Sequence, residues 1–191
     1  MRDLFARLAH TLIAHVTRRP PDFVIGRADD PYLRRWWLLP WRRWSEAAER
    51  DPTRINRAKR WIARRLPNAY LHHFMRNDDD RALHDHPWAW CSILLKGSYT
   101  EHTIAAGGIH RRRYREAPSM KFSLPSRAHR VELMPAAAGL APCWTLFLMG
   151  PVVREWGFHC PERGWVHWRD FTDPDDAGLI GPGCGEGNGR G

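Results

Sequence analysis

Residues 83–91 read LHDHPWAWC, and the spacing of the two histidines decides how the rest of the chain is read. Alternate side chains of a β-strand project to the same face, so His84 and His86 aim two imidazoles at one point. A soluble strand seldom needs that pair for stability, whereas a metal ion needs converging donors. Pro87 follows at once, which makes a plain hydrogen-bonded strand the less economical reading. Trp88 and Trp90 come next, large rings able to wall a pocket. Cys91 reads equally as a packed thiol or as a group near the metal.

A site on facing strands needs a third ligand from elsewhere. His129, in LPSRAHRVEL, lies on a later predicted strand beyond a proline-bearing turn. Between and around these positions the texture is one of short strands and turns. AYLHHFMR, RALHDHPW, WCSILLKG and SYTEHTI read as strands, AAGG as a tight hairpin turn, and IHRRRYREA, MKFSLPSRAHRVEL, CWTLFLMGP and EWGFHC as further strands. Strands without intervening helices predict an antiparallel sandwich or barrel. Asp78, Asp79 and Asp80 read as a solvated turn, since the glycine and terminal glutamate of a calcium loop are missing. His72 and His73, being adjacent, face opposite sides of their strand, so only one can point inward, and both are expected to be structural or polar-surface residues.

The first part of the chain differs in character. Leu4, Leu8, Leu12 and Val16, with Phe5 and Ile13, recur at helical spacing and predict an amphipathic helix. RRPPDFVIGRADDP reads as a connection, YLRRWWLLPWRRW as an arm covering the core, and residues 45–65 as helical apart from a break at Asp51-Pro52. The expected organisation is an extension over 1–67 packing on a β-domain over 68–172, followed by a glycine-rich tail over 173–191 without fixed structure.

Composition narrows the function classes. The 191 residues are 43% hydrophobic and include 11 tryptophans, enough for a single folded domain with a large-ring core. The net charge of +9 is spread along the chain among apolar positions, with no zinc finger, basic zipper or RNA-recognition signature. Solvated arginine faces are therefore expected in preference to a nucleic-acid surface. The four cysteines Cys91, Cys143, Cys160 and Cys184 form no C-x-x-C pair, which argues against a zinc knuckle and a dense disulfide framework. No apolar run approaches membrane-spanning length and the start is a poor signal peptide, so a cytoplasmic location is expected.

An H-x-H pair, a glycine-ended hairpin and a lone histidine on a later strand resemble the ligand layout of the cupins. Among cupins, the chain most resembles cysteine dioxygenase and its thiol-dioxygenase relatives. HDHPWAWCSILLKGSYTE supplies His84, Asp85, His86, Cys91, Gly97 and Glu101 in that family's order, HRVEL supplies His129 to Glu132, and TLFLMGP stands where the family has its next strand. The chain is one residue shorter between Cys91 and Gly97, and the family's supporting Ser, His and Tyr fall on Thr145, Phe147 and Met149. Cupin-type proteins of bacteria and phages without a settled activity are similar too.

The resemblance implies an all-β cupin double-stranded β-helix, a jelly-roll barrel, carrying an N-terminal α-helical extension. It implies one divalent metal on His84, His86 and His129, with Fe(II) expected and Zn, Ni, Mn or Cu also compatible with three imidazoles. The expected activity is an oxidoreductase of the cysteine-dioxygenase kind, acting with O2 on a small thiol or anionic molecule. Tyr99 and Cys91 are its catalytic candidates. Trp88, Trp90, Arg127 and Arg130 are expected to contact substrate, Glu101 to stand behind the ligands, and two copies to form a homodimer. The competing classes are a non-catalytic ligand- or metal-binding module, a cupin isomerase or epimerase, and a basic nucleic-acid-associated protein.

Overall fold

The first helix, α1 (Arg2–Val16), turns Phe5, Ala9, Leu12, Ile13 and Val16 onto the protein and leaves Leu4 and Leu8 exposed. The buried stripe is thus rotated from the one the leucine spacing alone suggests. Our computed structural model describes residues 1–77, 82–137 and 139–185; Asp78, Asp79 and Asp80 lie outside them. After α1 come β1 (Phe23–Gly26), β2 (Pro31–Trp37), α2 (Trp41–Arg50) and α3 (Arg54–Ala63). The break at Asp51-Pro52 is followed by Thr53, whose hydroxyl accepts from the Asn56 amide at 3.2 Å and caps α3.

The β-domain follows as β3 (Asn68–Phe74), β4 (Leu83–His84), β5 (Trp90–Lys96), β6 (Ser98–Ile104), β7 (His110–Glu116), β8 (Ser119–Ser123) and β9 (His129–Leu133). A small hairpin, β10 (Pro135–Ala136) with β11 (Gly139–Leu140), precedes β12 (Cys143–Met149), β13 (Gly157–Cys160), β14 (Gly164–His167) and the short α4 (Trp168–Phe171). The main strands form two six-stranded antiparallel sheets, ordered β1-β2-β3-β12-β5-β8 and β14-β13-β4-β9-β6-β7. From β4 onward the chain passes repeatedly between them. Leu94 and Cys143 of the first sheet pack on Tyr99, Val131 and Leu133 of the second, so the core lies between the sheets.

Two expectations change. Residues 32–37, from the stretch read as a covering arm, form a strand paired with β3, and residues 23–26, read as a connection, form β1. Alternation explains it: Leu33 and Trp37 face inward while Trp36 faces α1, as a strand covered on both sides requires. The glycine-rich end is built into the molecule as far as Gly185. Thr172 bridges to Ile180, the Asp173 amide donates to the Leu179 carbonyl, and Cys184 is disulfide-bonded to Cys160. Such bonds persist in oxidising compartments, whereas the poor signal peptide and the absence of a membrane-length run led to the expectation of a cytoplasmic location. No helix among the described residues is long and apolar enough to cross a membrane.

On the α1 side of β3, His73 stacks on Trp144 with ring centroids 3.9 Å apart. Burial, helped by the charges of Arg34 and Lys96, lowers its pKa from 6.5 to about 4. The unfolded chain therefore binds this proton first, so the contribution is intact above about pH 6.5 and is lost as pH falls towards about 4. Thermal unfolding across that window is expected to show a shallower fall in Tm for His73→Phe than for the wild type. Equal slopes would remove His73 from the account.

Candidate metal centre and cavity

His84 and His129 are brought face to face by the pairing of β4 with β9, where they are register partners. His86 follows two residues on, its amide donating to the Pro125 carbonyl. The three rings lie 4.8 to 5.2 Å apart between centroids. One ring nitrogen from each lies within 4.8 Å of the others, and Nε2 of His86 is 2.9 Å from Nε2 of His129. Burial, then the charges of His84 and His129, push the pKa of His86 well below its usual value, so its imidazole is neutral with a lone pair to offer.

Glu101, on β6, is buried beneath this group. Its carboxylate accepts from Arg115 Nε at 2.8 Å and from Lys121, and lies 3.2 Å from Nδ1 of His129, off the line of a good hydrogen bond. Burial alone would raise its pKa, but the nearby His129 and Lys121 outweigh that and hold it at about 2. An ionised carboxylate beside Nδ1 favours the tautomer that carries the proton there. The lone pair of His129 is then on Nε2, facing His86.

Asp85, between the two histidines, turns the opposite way and is 1% exposed. Its Oδ1 accepts from the Gly157 amide at 2.9 Å and its own amide donates to the Gly157 carbonyl at 3.0 Å. Oδ2 accepts from Trp165 Nε1 at 3.1 Å, with Arg154 at 2.7 Å as an ion pair and His159 at 3.3 Å. Position 157 takes only glycine because of the neighbouring strand β14, where a Cβ would stand 2.1 Å from the Val166 carbonyl oxygen. Sequence reasoning named Asp85 only as part of a motif; its opposite facing was implicit in the same alternation that paired the histidines.

The three histidines sit in a cavity of about 1020 Å³ between the sheets. Trp88 and Trp90 line it as expected, Trp90 with its ring 4.8 Å from His129 and 5.3 Å from His86. Thr145, Phe147 and Met149 form the wall from β12, and His72 and Tyr70 the wall from β3. Tyr99 reaches the lining but is packed with Leu94 and Val131, and burial raises its pKa well above that of a free phenol. Cys91 does not line the cavity: Trp90 and Ser92 face it, so the thiol between them takes the other face of β5, beside Phe122 and Leu148. Arg130 is excluded in the same way by its neighbour His129 and turns its guanidinium to His102 outside the sheet, while Arg127 is exposed.

The cavity collects unsatisfied polar groups. Among the described residues, three buried side-chain atoms with neither a hydrogen-bond nor an ion-pair partner belong to residues lining it, Trp88 Nε1, Trp90 Nε1 and Thr145 Oγ1, while His129 Nδ1 and Arg154 Nη1, also without a well-aligned hydrogen bond, face Glu101 and Asp85. Buried polar atoms are otherwise nearly always paired, so this clustering marks a place built to hold something polar. Its described lining holds eight arginines against two carboxylates, Glu49 and Glu155. Five of these arginines have an acid at ion-pair distance, Arg27 with Asp29, Arg42 with Glu46, Arg60 with Glu49, Arg76 with Asp30 and Arg154 with Asp85, so the positive bias of the cavity rests on Arg35, Arg64 and Arg169.

No family model matches the sequence, and no curated protein matches it. Among solved structures, Bacillus subtilis oxalate decarboxylase, in a study of its Mn(II) centres, aligns with a TM-score of 0.45 at 13% identity, covering 74% of this chain and 30% of that one. Lactobacillus farciminis oxalate decarboxylase in its formate complex gives 0.43 and 12%, covering 71% and 33%. A DMSP lyase gives 0.34 and 16%, covering 44% and 38%. The chain thus spans about a third of the length of these neighbours, and similarity at this level transfers neither a metal nor a substrate.

Asp85→Ala would strand the Gly157 amide and the Trp165 indole and leave Arg154 without its ion pair. It is expected to cost about 3 kcal/mol of unfolding free energy, measured by urea denaturation. A loss below about 1 kcal/mol would show that the carboxylate does not anchor β13 to the histidine segment.

Proposed function

We propose that the chain is a metal-dependent cupin, its strands wound as the jelly-roll barrel of that family, and that His84, His86 and His129 hold one divalent ion. The observation that carries this reading is the convergence of three ring nitrogens within 4.8 Å on the cavity wall. The donor set fits. An ion bound at about 2.1 Å keeps its nitrogens roughly 3 to 3.5 Å apart, and the His86 and His129 pair already stands at 2.9 Å. Neutral imidazoles are what such an ion needs, and burial keeps His86 neutral.

With Fe(II) bound, three imidazoles would leave positions open to substrate and O2, the chemistry of a non-haem dioxygenase. The expected substrate remains a small thiol or anionic molecule. In that role Glu101 fixes the orientation of His129, and Trp90 and Phe147 keep water from the imidazoles. Trp88 Nε1 and Thr145 Oγ1 offer hydrogen bonds to a bound molecule. Tyr99, buried with a raised pKa, retains its proton.

One observation favours a second reading, a module that binds a ligand without transforming it. Phe147 and Met149 stand on the cavity wall where a proton-transferring pair would serve a thiol dioxygenase, and neither can move a proton.

Elemental analysis after anaerobic purification separates these. Wild type is expected to hold close to one divalent ion per chain, and His86→Ala and His129→Ala to lose it. Oxygen uptake with Fe(II) and a panel of small thiols and carboxylates should follow for an oxygenase. Metal without uptake leaves the binding module, and no metal under any loading condition ends the metal reading.

A further inference from the structure

Arg35 stands out among the arginines of the cavity. Strand β2 places it on the register rung shared with His72 of β3, and His72 in turn with Thr145 of β12. Its Nε donates to Nε2 of His72 at 2.9 Å, and its guanidinium carbon lies 5.1 Å from the centre of the Tyr70 ring. Nε2 of His72 can accept only if that imidazole is neutral. Burial, and then the charge of Arg35, push its pKa well below the usual value. The guanidinium is thus held from two sides by an uncharged nitrogen and an aromatic face, neither of which neutralises it.

Among the described residues Arg35 has no carboxylate partner. The nearby groups that act on its charge are Tyr70, Arg42 and Tyr32. Withdrawing a cation from water without a counter-ion is costly, and Arg27, Arg42, Arg60, Arg76 and Arg154 of the same lining each have an acid on hand. Of the five N–H donors of a guanidinium, the Nε–H is spent on His72. The Nη groups present the planar fork that matches paired oxygens of a carboxylate or phosphate. On the same rung Thr145, 2% exposed, carries a hydroxyl with no partner that also lines the cavity. His72 stacks on Phe147 at 5.2 Å and Phe147 meets His86 at 5.6 Å, so one ring separates this rung from the three histidines.

We propose that Arg35, positioned by His72 and Tyr70, is an oxyanion subsite of the cavity, and that the substrate is an organic carboxylate or phosphate anchored there while its body reaches the three histidines. The inference rests on the reading of the cavity as a small-molecule site. It assigns specificity to the N-terminal extension, and to Arg35 in place of Arg127 and Arg130.

Calorimetric titration of the full chain with benzoate, phenyl phosphate and neutral benzamide tests it, on protein both stripped of metal and metal-loaded. Wild type is expected to bind one oxyanion at least about tenfold more tightly than benzamide, and the tighter of the two tells a carboxylate subsite from a phosphate one. Arg35→Met, which keeps the stem and removes the fork, should erase that gap while leaving benzamide binding and metal content unchanged. Arg35→Lys, which keeps charge without the fork, should retain only part of the gap, and carries the test if the methionine variant does not fold. Oxyanions no tighter than benzamide, absent binding of either at millimolar concentration, or a gap that survives in Arg35→Met would each overturn the proposal. Discrimination without any metal uptake would instead sink the metal reading and leave the subsite standing.

Discussion

The sheet that bears the histidines is held at its centre by a strand of two residues. β4 contributes only Leu83 and His84, yet it joins the β13–β14 hairpin on one side to β9 on the other. So short a ladder supplies few backbone bonds, and Asp85 makes up the difference. Its carboxylate and amide engage both polar groups of Gly157, and its second oxygen gathers Trp165, Arg154 and His159. The alternation that turns Asp85 outward turns His84 and His86 inward. One buried anion therefore fixes the position of two of the three imidazoles, and Glu101 orients the third.

That coupling explains why the three histidines were legible in the sequence. The H-x-H spacing encodes a common face locally, and His129 lay on a strand whose pattern was plain. Alternation also turns Arg130 away from the cavity beside His129, and Cys91 away from it between Trp90 and Ser92, which for Cys91 leaves the packed-thiol reading. What local pattern could not supply was pairing at a distance. Arg35 and His72 are 37 positions apart, and only the docking of β2 on β3 makes them neighbours. The arm reading of residues 32–44 failed for the same reason, since a stretch apolar on both faces is a strand only where partners cover both faces. Cys160 and Cys184 likewise carry no spacing signature.

The charge of the chain gains meaning from the same geometry. Spread evenly along the sequence, the arginines suggested solvated faces, and several are just that. Eight of them nevertheless line the cavity, five held by acids and three, Arg35, Arg64 and Arg169, without one among the described residues. Attraction within a partly closed, low-dielectric cavity is far stronger than at an open surface. A basic composition is thus directed inward, towards a small anion, as well as outward to solvent.

Both ends of the chain close this cavity. Gly26, at the end of β1, donates its amide to the Gly178 carbonyl at 2.8 Å. Gly26 has a positive φ of 94°, and a Cβ there would stand 2.7 Å from the Tyr32 amide nitrogen; one at Gly178 would stand 2.9 Å from the Val24 carbonyl oxygen. Gly26 is thus required by the turn from β1 to β2, and Gly178 by the close approach of the two backbones, which a side chain there would block. Residues 177–180 then line the cavity, and the Cys160–Cys184 disulfide, closing a separation of 24 residues, limits how far that segment strays in the unfolded chain. A loop of this length is worth roughly 3 kcal/mol in chain entropy, concentrated on a segment with little apolar surface of its own. The glycine content that reads as disorder in isolation is what permits the close approach, and the disulfide offsets the entropy that glycine adds. The extension and the tail are in this sense one wall, and the cavity exists in its present form only when both are in place.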